Sequence, residues 1–94
     1  MKDYFVVSLC KNGMIGGGIV ADLETLTYKT GKLTVPVKYR NIQMRYTDIC
    51  AVETGWFLLF PTVTLKMKRE EAYKFVVFAR KRFVKCLQEK GVYI

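Results

Sequence analysis

Apolar and polar residues alternate with a period of two along most of this chain, the pattern of half-buried strands. The alternation is clean at Phe5, Val7 and Leu9, and at Ile42, Met44 and Tyr46 against Gln43, Arg45 and Thr47. It returns at Val63, Leu65 and Met67 against Thr62, Thr64 and Lys66, and at Tyr73, Phe75 and Val77 against Lys74 and Val76. Turn chemistry separates these runs: Lys11-Asn12-Gly13, Asp22-Leu23-Glu24, Thr47-Asp48, Thr54-Gly55 and Arg69-Glu70. The reading is seven short strands, over 4–10, 15–22, 25–30, 41–46, 48–54, 62–68 and 72–78. Gly16-Gly17-Gly18 falls inside the second of them, where glycine usually marks a bulge or sharp bend.

From Ala79 the period changes. Ala79, Phe83, Cys86 and Leu87 share one arc of a 3.6-residue wheel, and Lys81, Arg82 and Lys85 take the opposite arc. A helix over 79–90 follows, stopped by Gly91, which tolerates a left-handed cap. About twelve helical residues do not hold together alone in water, so the helix needs an apolar surface to lie on. A row of short strands ending in one amphipathic helix implies a mainly β barrel or sandwich with the helix closing an open side.

Composition narrows the function more than the fold. Ninety-four residues, 51% of them apolar, suit one domain over 1–94 with one core. No apolar run reaches the roughly 18 residues of a membrane span, and the first apolar stretch is too short for a signal peptide, so a cytoplasmic protein is the expectation. Cys10, Cys50 and Cys86 are far apart and odd in number, and read as free thiols acting as buried small hydrophobes. The absence of histidine removes most familiar catalytic arrangements and the commonest zinc ligand. Sixteen cations against eight acids, a net charge of +8, favour anionic partners.

In this order of elements the chain resembles the pleckstrin-homology superfold, most closely its small GRAM-like, bacterial members. The residues that carry the resemblance start with the glycine-led hairpin Gly18-Ile19-Val20-Ala21-Asp22 through Leu26-Thr27-Tyr28-Lys29. Next comes Tyr46-Thr47-Asp48-Ile49-Cys50-Ala51-Val52-Glu53, like the family's aromatic-x-Asp-Ile strand; then Val63–Lys68, Tyr73–Phe78 and the last helix. The resemblance implies a PH-like seven-stranded bent barrel, two roughly orthogonal antiparallel sheets capped by one C-terminal helix. It also implies a non-enzymatic module without a cofactor, binding lipid head groups or protein. Two departures stand out. Phosphoinositide-binding members carry a basic pair early in the second strand, where this chain has Gly-Ile-Val-Ala, and Lys38-x-Arg40 comes one loop later. The family's capping helix usually holds a tryptophan, a space left here to Phe83 or Leu87.

Two stretches are candidate contact surfaces. Between Thr25 and Thr47 there is no acid against five cations, so Lys29, Lys32, Lys38, Arg40 and Arg45, joined by Lys11, form a candidate site for anions or lipid head groups. Trp56-Phe57-Leu58-Leu59-Phe60, ended by Pro61, is the candidate interface, with alternate members facing out and a homodimer as its first form. The partner is thus a protein or an anionic membrane surface touched peripherally. The alternative is single-stranded nucleic acid stacking on Tyr28, Tyr39 and Tyr46 among the cations. No catalytic set emerges: Ser8 has no histidine to activate it, and Asp48 and Glu53 fall on opposite faces of a strand. Gly13-x-x-Gly16-Gly17-Gly18 precedes a strand, not a helix, so it is no phosphate loop.

Overall fold

The alternating segments pair into one antiparallel sheet of seven strands in the order β4-β3-β2-β1-β7-β6-β5. This computed structural model describes residues 3–11, 13–31 and 36–92. Its elements are β1 (Asp3–Cys10), β2 (Met14–Ala21), β3 (Thr25–Lys29), β4 (Asn41–Arg45), β5 (Ile49–Phe57), β6 (Phe60–Met67), β7 (Ala72–Val77) and α1 (Arg80–Glu89). The sheet curls into a half-barrel whose two edges, β4 and β5, are joined by a single 3-10 turn at Tyr46–Asp48. Among the described residues no helix is long and apolar enough to cross a membrane.

The inward set is the one that the alternation predicts. Phe5, Val7, Leu9, Ile42, Met44, Val63, Leu65, Phe75 and Val77 are all buried, and α1 lays Phe83, Cys86 and Leu87 over them. Phe83 meets Phe5 edge to face, with ring centroids 4.9 Å apart at 82°. Phe83 and Leu87 thus both occupy the space under the helix, each with no exposed surface. Gly91 takes φ +87 and receives the chain as a Schellman cap: its N–H donates to Gln88 O at 3.0 Å, and that of Val92 to Leu87 O at 3.0 Å. Val92 is itself buried, the apolar contact that accompanies this cap.

Several elements differ from the sequence reading. The strand expected over 48–54 runs on to Phe57, so Thr54-Gly55 is not a turn and the hairpin reverses at Leu58-Leu59. Glycine weakens a strand without forbidding it, and here Gly55 pairs with Thr62 in an unbroken ladder. Gly16, Gly17 and Gly18 carry no bulge either; β1 and β2 stay in register from Asp3↔Ala21 to Cys10↔Met14. Their reason is close approach. A Cβ on Gly17 would run into the Lys29 carbonyl and the Tyr28 ring, and one on Gly18 into the Tyr4 ring. The bulge is at Cys50, where the register shifts between Ile49 and Ala51, and the irregularity leaves Cys50 exposed, not buried. Ala79 is outside the helix as its N-cap and is exposed. Val76, expected outward with Lys74, is buried between Ser8 and Thr62 of the neighbouring strands.

Candidate functional site

Surface chemistry concentrates at the two ends of β7. At the Ala72 end, a cleft of about 400 Å³ opens between the end of β1, the 3-10 turn Val37–Tyr39 and the β6–β7 turn. Pro36, with φ −53, starts that 3-10 turn, and the Tyr39 N–H donates back to Pro36 O at 2.9 Å. Thr30 N then donates to Arg40 O at 3.0 Å, which returns the connection to β3 and holds the Tyr39 ring against the core. Lys11 Nζ and Lys38 Nζ sit 5.4 and 5.0 Å from the centre of that ring. Among the described residues neither ammonium is paired with a carboxylate.

The opposite wall carries Glu70, Glu71, Tyr73 and Lys74, and Tyr73 OH donates to Glu71 Oε2 at 2.8 Å. The two phenols are pushed in opposite directions. Desolvation raises Tyr73, and the Glu71 carboxylate adds to it, so its pKa reaches about 12. For Tyr39 desolvation again opposes ionisation, but the ammonium groups of Lys38 and Lys11 outweigh it and lower the pKa. The cleft therefore has a cationic half around Tyr39 and an acid-tied half around Tyr73.

The six cations of the sequence reading do not form one patch. Lys11 and Lys38 come together on Tyr39. Lys29 ends β3 opposite Asn41, and Arg40 closes the 3-10 turn, half-buried. Arg45 lies opposite Thr25 at the far end of the same ladder, roughly 14 Å away along the strand. It lines a separate hollow of about 350 Å³ with Asp48, Lys68 and Arg69. Lys32 lies outside the described residues. Charge clustered in sequence is split here because a strand carries its two ends apart.

At the Val77 end the aromatic run forms the tip of the β5–β6 hairpin. Neither alternate set is turned inward: Trp56 is 64% exposed, Phe57 39%, Leu58 81% and Leu59 89%. The cause is the length of the ribbon. The β6–β7 ladder ends at Thr62↔Val76, while β5 and β6 stay paired to Phe57↔Phe60, so the tip runs past the end of that ladder with no further strand paired to it among the described residues. Pro61, which has no N–H to donate, stands where that ladder stops. Leu58 occupies φ 55, a left-handed position that favours glycine and is unusual for a bulky side chain.

Side chains between the end of β7 and the first turn of α1 brace this tip. Arg80 lies over the Trp56 ring at 4.7 Å and its Nη1 donates to Gly55 O at 2.5 Å. Phe78 meets Phe60 edge to face at 5.7 Å. Arg82 lies over Phe5 at 4.2 Å and donates to Tyr4 O at 3.1 Å. With Lys81, these side chains wall a shallow hollow of about 480 Å³ beside Trp56 and Pro61. The arginines rest on rings and carbonyls, so their full charge stays uncompensated by those contacts. One signal was in the sequence: three cations at a helix start, where the backbone dipole favours acids, do nothing for the helix itself.

No family model matches the chain, and no curated protein matches it. Among solved structures it is similar to the C-terminal domain of an unknown protein from Leishmania infantum, with a TM-score of 0.77 and 11% sequence identity. The match covers 94% of this chain and 80% of that one. At this identity the likeness concerns the fold alone: seven antiparallel strands in a curled half-barrel with one C-terminal helix.

Two of the three tyrosines considered for stacking nucleic acid lie in the interior. Tyr28 and Tyr46 are buried, and their hydroxyls donate to Ile15 O and Asp22 O, each at 2.7 Å. Tyr39 lines the cleft with Lys11 and Lys38, while Tyr46, though buried, borders a separate hollow with Arg45 and Lys90. Among the described residues no three of His, Cys, Asp and Glu stand close enough to hold a metal ion.

Proposed function

We propose that the chain is a non-enzymatic binding and scaffolding module of PH-like, GRAM-related architecture, its sheet bent about β1 into two roughly orthogonal layers. Its ligand-binding end is the cleft at Lys11, Lys38 and Tyr39, and what it holds there is an anionic group, carboxylate or phosphate, of a partner. One observation carries this reading: two ammonium groups converge on a ring that the fold fixes in place, and among the described residues neither of them forms an ion pair with a carboxylate. A charge-assisted contact to two lysines is stronger than a neutral hydrogen bond, and a pre-placed ring lowers the ordering cost of binding. A domain with a formal charge of +8 also attracts such partners from a distance.

Amide NMR during titration with inositol hexakisphosphate, polyglutamate and a single-stranded oligonucleotide tests this. Shifts concentrated at Lys11, Lys38 and Tyr39, and lost in Lys11→Glu/Lys38→Glu, are expected with the first two. Shifts scattered over all lysines, or none, would remove the cleft as a site. Saturable binding of the oligonucleotide alone would replace this reading with the nucleic-acid one.

A further inference from the structure

The hairpin tip has a chemistry that the cleft does not explain, and it lies at the other end of β7, roughly 17 Å away along the strand. We propose that the β5–β6 tip docks the protein on an anionic lipid bilayer, Leu58 and Leu59 entering the acyl boundary while Arg80, Lys81 and Arg82 meet head-group phosphates.

Geometry comes first. From Pro61, level with Val77 at the end of β7, to Leu59 is two residues, so the ribbon projects roughly 7 Å beyond that strand. That matches the roughly 5–10 Å depth at which surface-bound apolar groups sit in a bilayer. The two outermost side chains are the most exposed large apolar ones of the described residues, Leu58 at 81% and Leu59 at 89%. Two wide aromatic side chains, Trp56 and Phe57, stand one step behind, at the level where an amphipathic ring meets the head groups. Behind those comes the collar of three consecutive cations, with no acid in the first turn of α1. Apolar, then aromatic, then cationic is the order of layers met on leaving a membrane.

Charge selects the occupant. A second copy of this chain docked symmetrically on the same tip would set each cationic collar against its twin. A lipid surface bearing phosphate complements it, each cation near that surface strengthening binding about fivefold. The tip is also held ready. Arg80 binds the hairpin at Gly55 and Trp56, Phe78 supports Phe60, and so insertion does not have to order a loose loop. Leucine at φ 55 is the costly choice at Leu58, and such strain persists where a side chain has a use.

The chain's single tryptophan is in this tip, so its emission reports on the site directly. Phosphatidylcholine vesicles with and without phosphatidylserine serve as probes, and brominated lipid as quencher. The expected result is a blue shift and quenching of Trp56 with the anionic vesicles only, weakened by salt. Leu59→Asp lowers partitioning about ten- to hundredfold. Leu58→Gly does the same while relieving the backbone, so a fold intact by circular dichroism is expected there. Lys81→Gln lowers it about fivefold. Unchanged Trp56 emission with anionic vesicles at low salt would overturn the proposal, as would full binding by Leu59→Asp. A shift that follows protein concentration without lipid, with light scattering showing a dimer that Leu59→Asp dissolves, would assign the tip to a second copy instead. None of these readouts involves Lys11 or Lys38, so the tip and the cleft stand or fall separately.

Discussion

Replacing Phe83 by alanine tests whether α1 is part of the barrel or only attached to it. The helix has little to hold it up by itself. It is 10 residues long, Ala79 supplies no side-chain cap bond, and its first turn carries cations where the backbone dipole disfavours them. What secures it is the Schellman cap at Gly91 and the burial of Phe83, Cys86 and Leu87. Phe83 has no exposed surface and packs edge to face on Phe5, so truncation removes its transfer free energy, leaves a cavity and breaks an aromatic pair. Together these amount to about 3–5 kcal/mol. A domain of this size has about 5–15 kcal/mol in all, and a urea m-value of about 1 kcal/mol/M turns the loss into a midpoint lower by several molar. Urea unfolding followed in parallel by far-ultraviolet circular dichroism and Trp56 fluorescence measures it. Phe83→Leu should recover most of the loss, and Lys85→Ala on the outer face should stay within about 0.5 kcal/mol of wild type. A Phe83→Ala cost below about 1 kcal/mol, or a helix signal that melts ahead of the sheet, would refute the reasoning that the barrel is built around this contact.

The glycines of β2 give a paired test: Gly17→Ala should lose about 1–3 kcal/mol because its Cβ meets the Lys29 backbone carbonyl, which cannot swing away. Gly18→Ala should lose less, since its Cβ meets the largely exposed ring of Tyr4, which can turn aside; a reversed order in thermal melts would show that the close approach is misassigned. Alkali should loosen the fold through Tyr46 and Tyr73, both raised from 10.0 to about 12, chiefly by desolvation. The unfolded chain loses these protons near pH 10 while the folded chain keeps them. The stability from each neutral phenol is therefore complete below about pH 10 and falls up to about pH 12, by at most ~1.4 kcal/mol per pH unit for each tyrosine. Tyr46→Phe, which also gives up its hydrogen bond to Asp22 O, should lower stability by about 1 kcal/mol near neutrality and flatten the alkaline slope; equal slopes in the two proteins would exclude Tyr46 as a contributor.

Alternation was enough to read seven strands, a terminal helix and nearly the whole core, because inward and outward side chains along a strand obey a period that the chain itself carries. The stop at Gly91 was legible for the same local reason, since only the backbone freedom of one residue was involved. Where strands lie beside one another was not local. Alternation would turn only one of Trp56 and Phe57 outward, and both become surface because β7 ends at Val77 while the β5–β6 ribbon continues past it. Lys38 and Arg45 look like one basic loop and part company because β4 carries them to opposite ends. The alternation and helical pattern assign Arg80 no partner, and its guanidinium comes to rest on a tryptophan 24 residues earlier in the chain. Which side chains face in is a property of each strand; which of them meet depends on pairing and register across the sheet, and those contacts join residues that no short window of sequence contains.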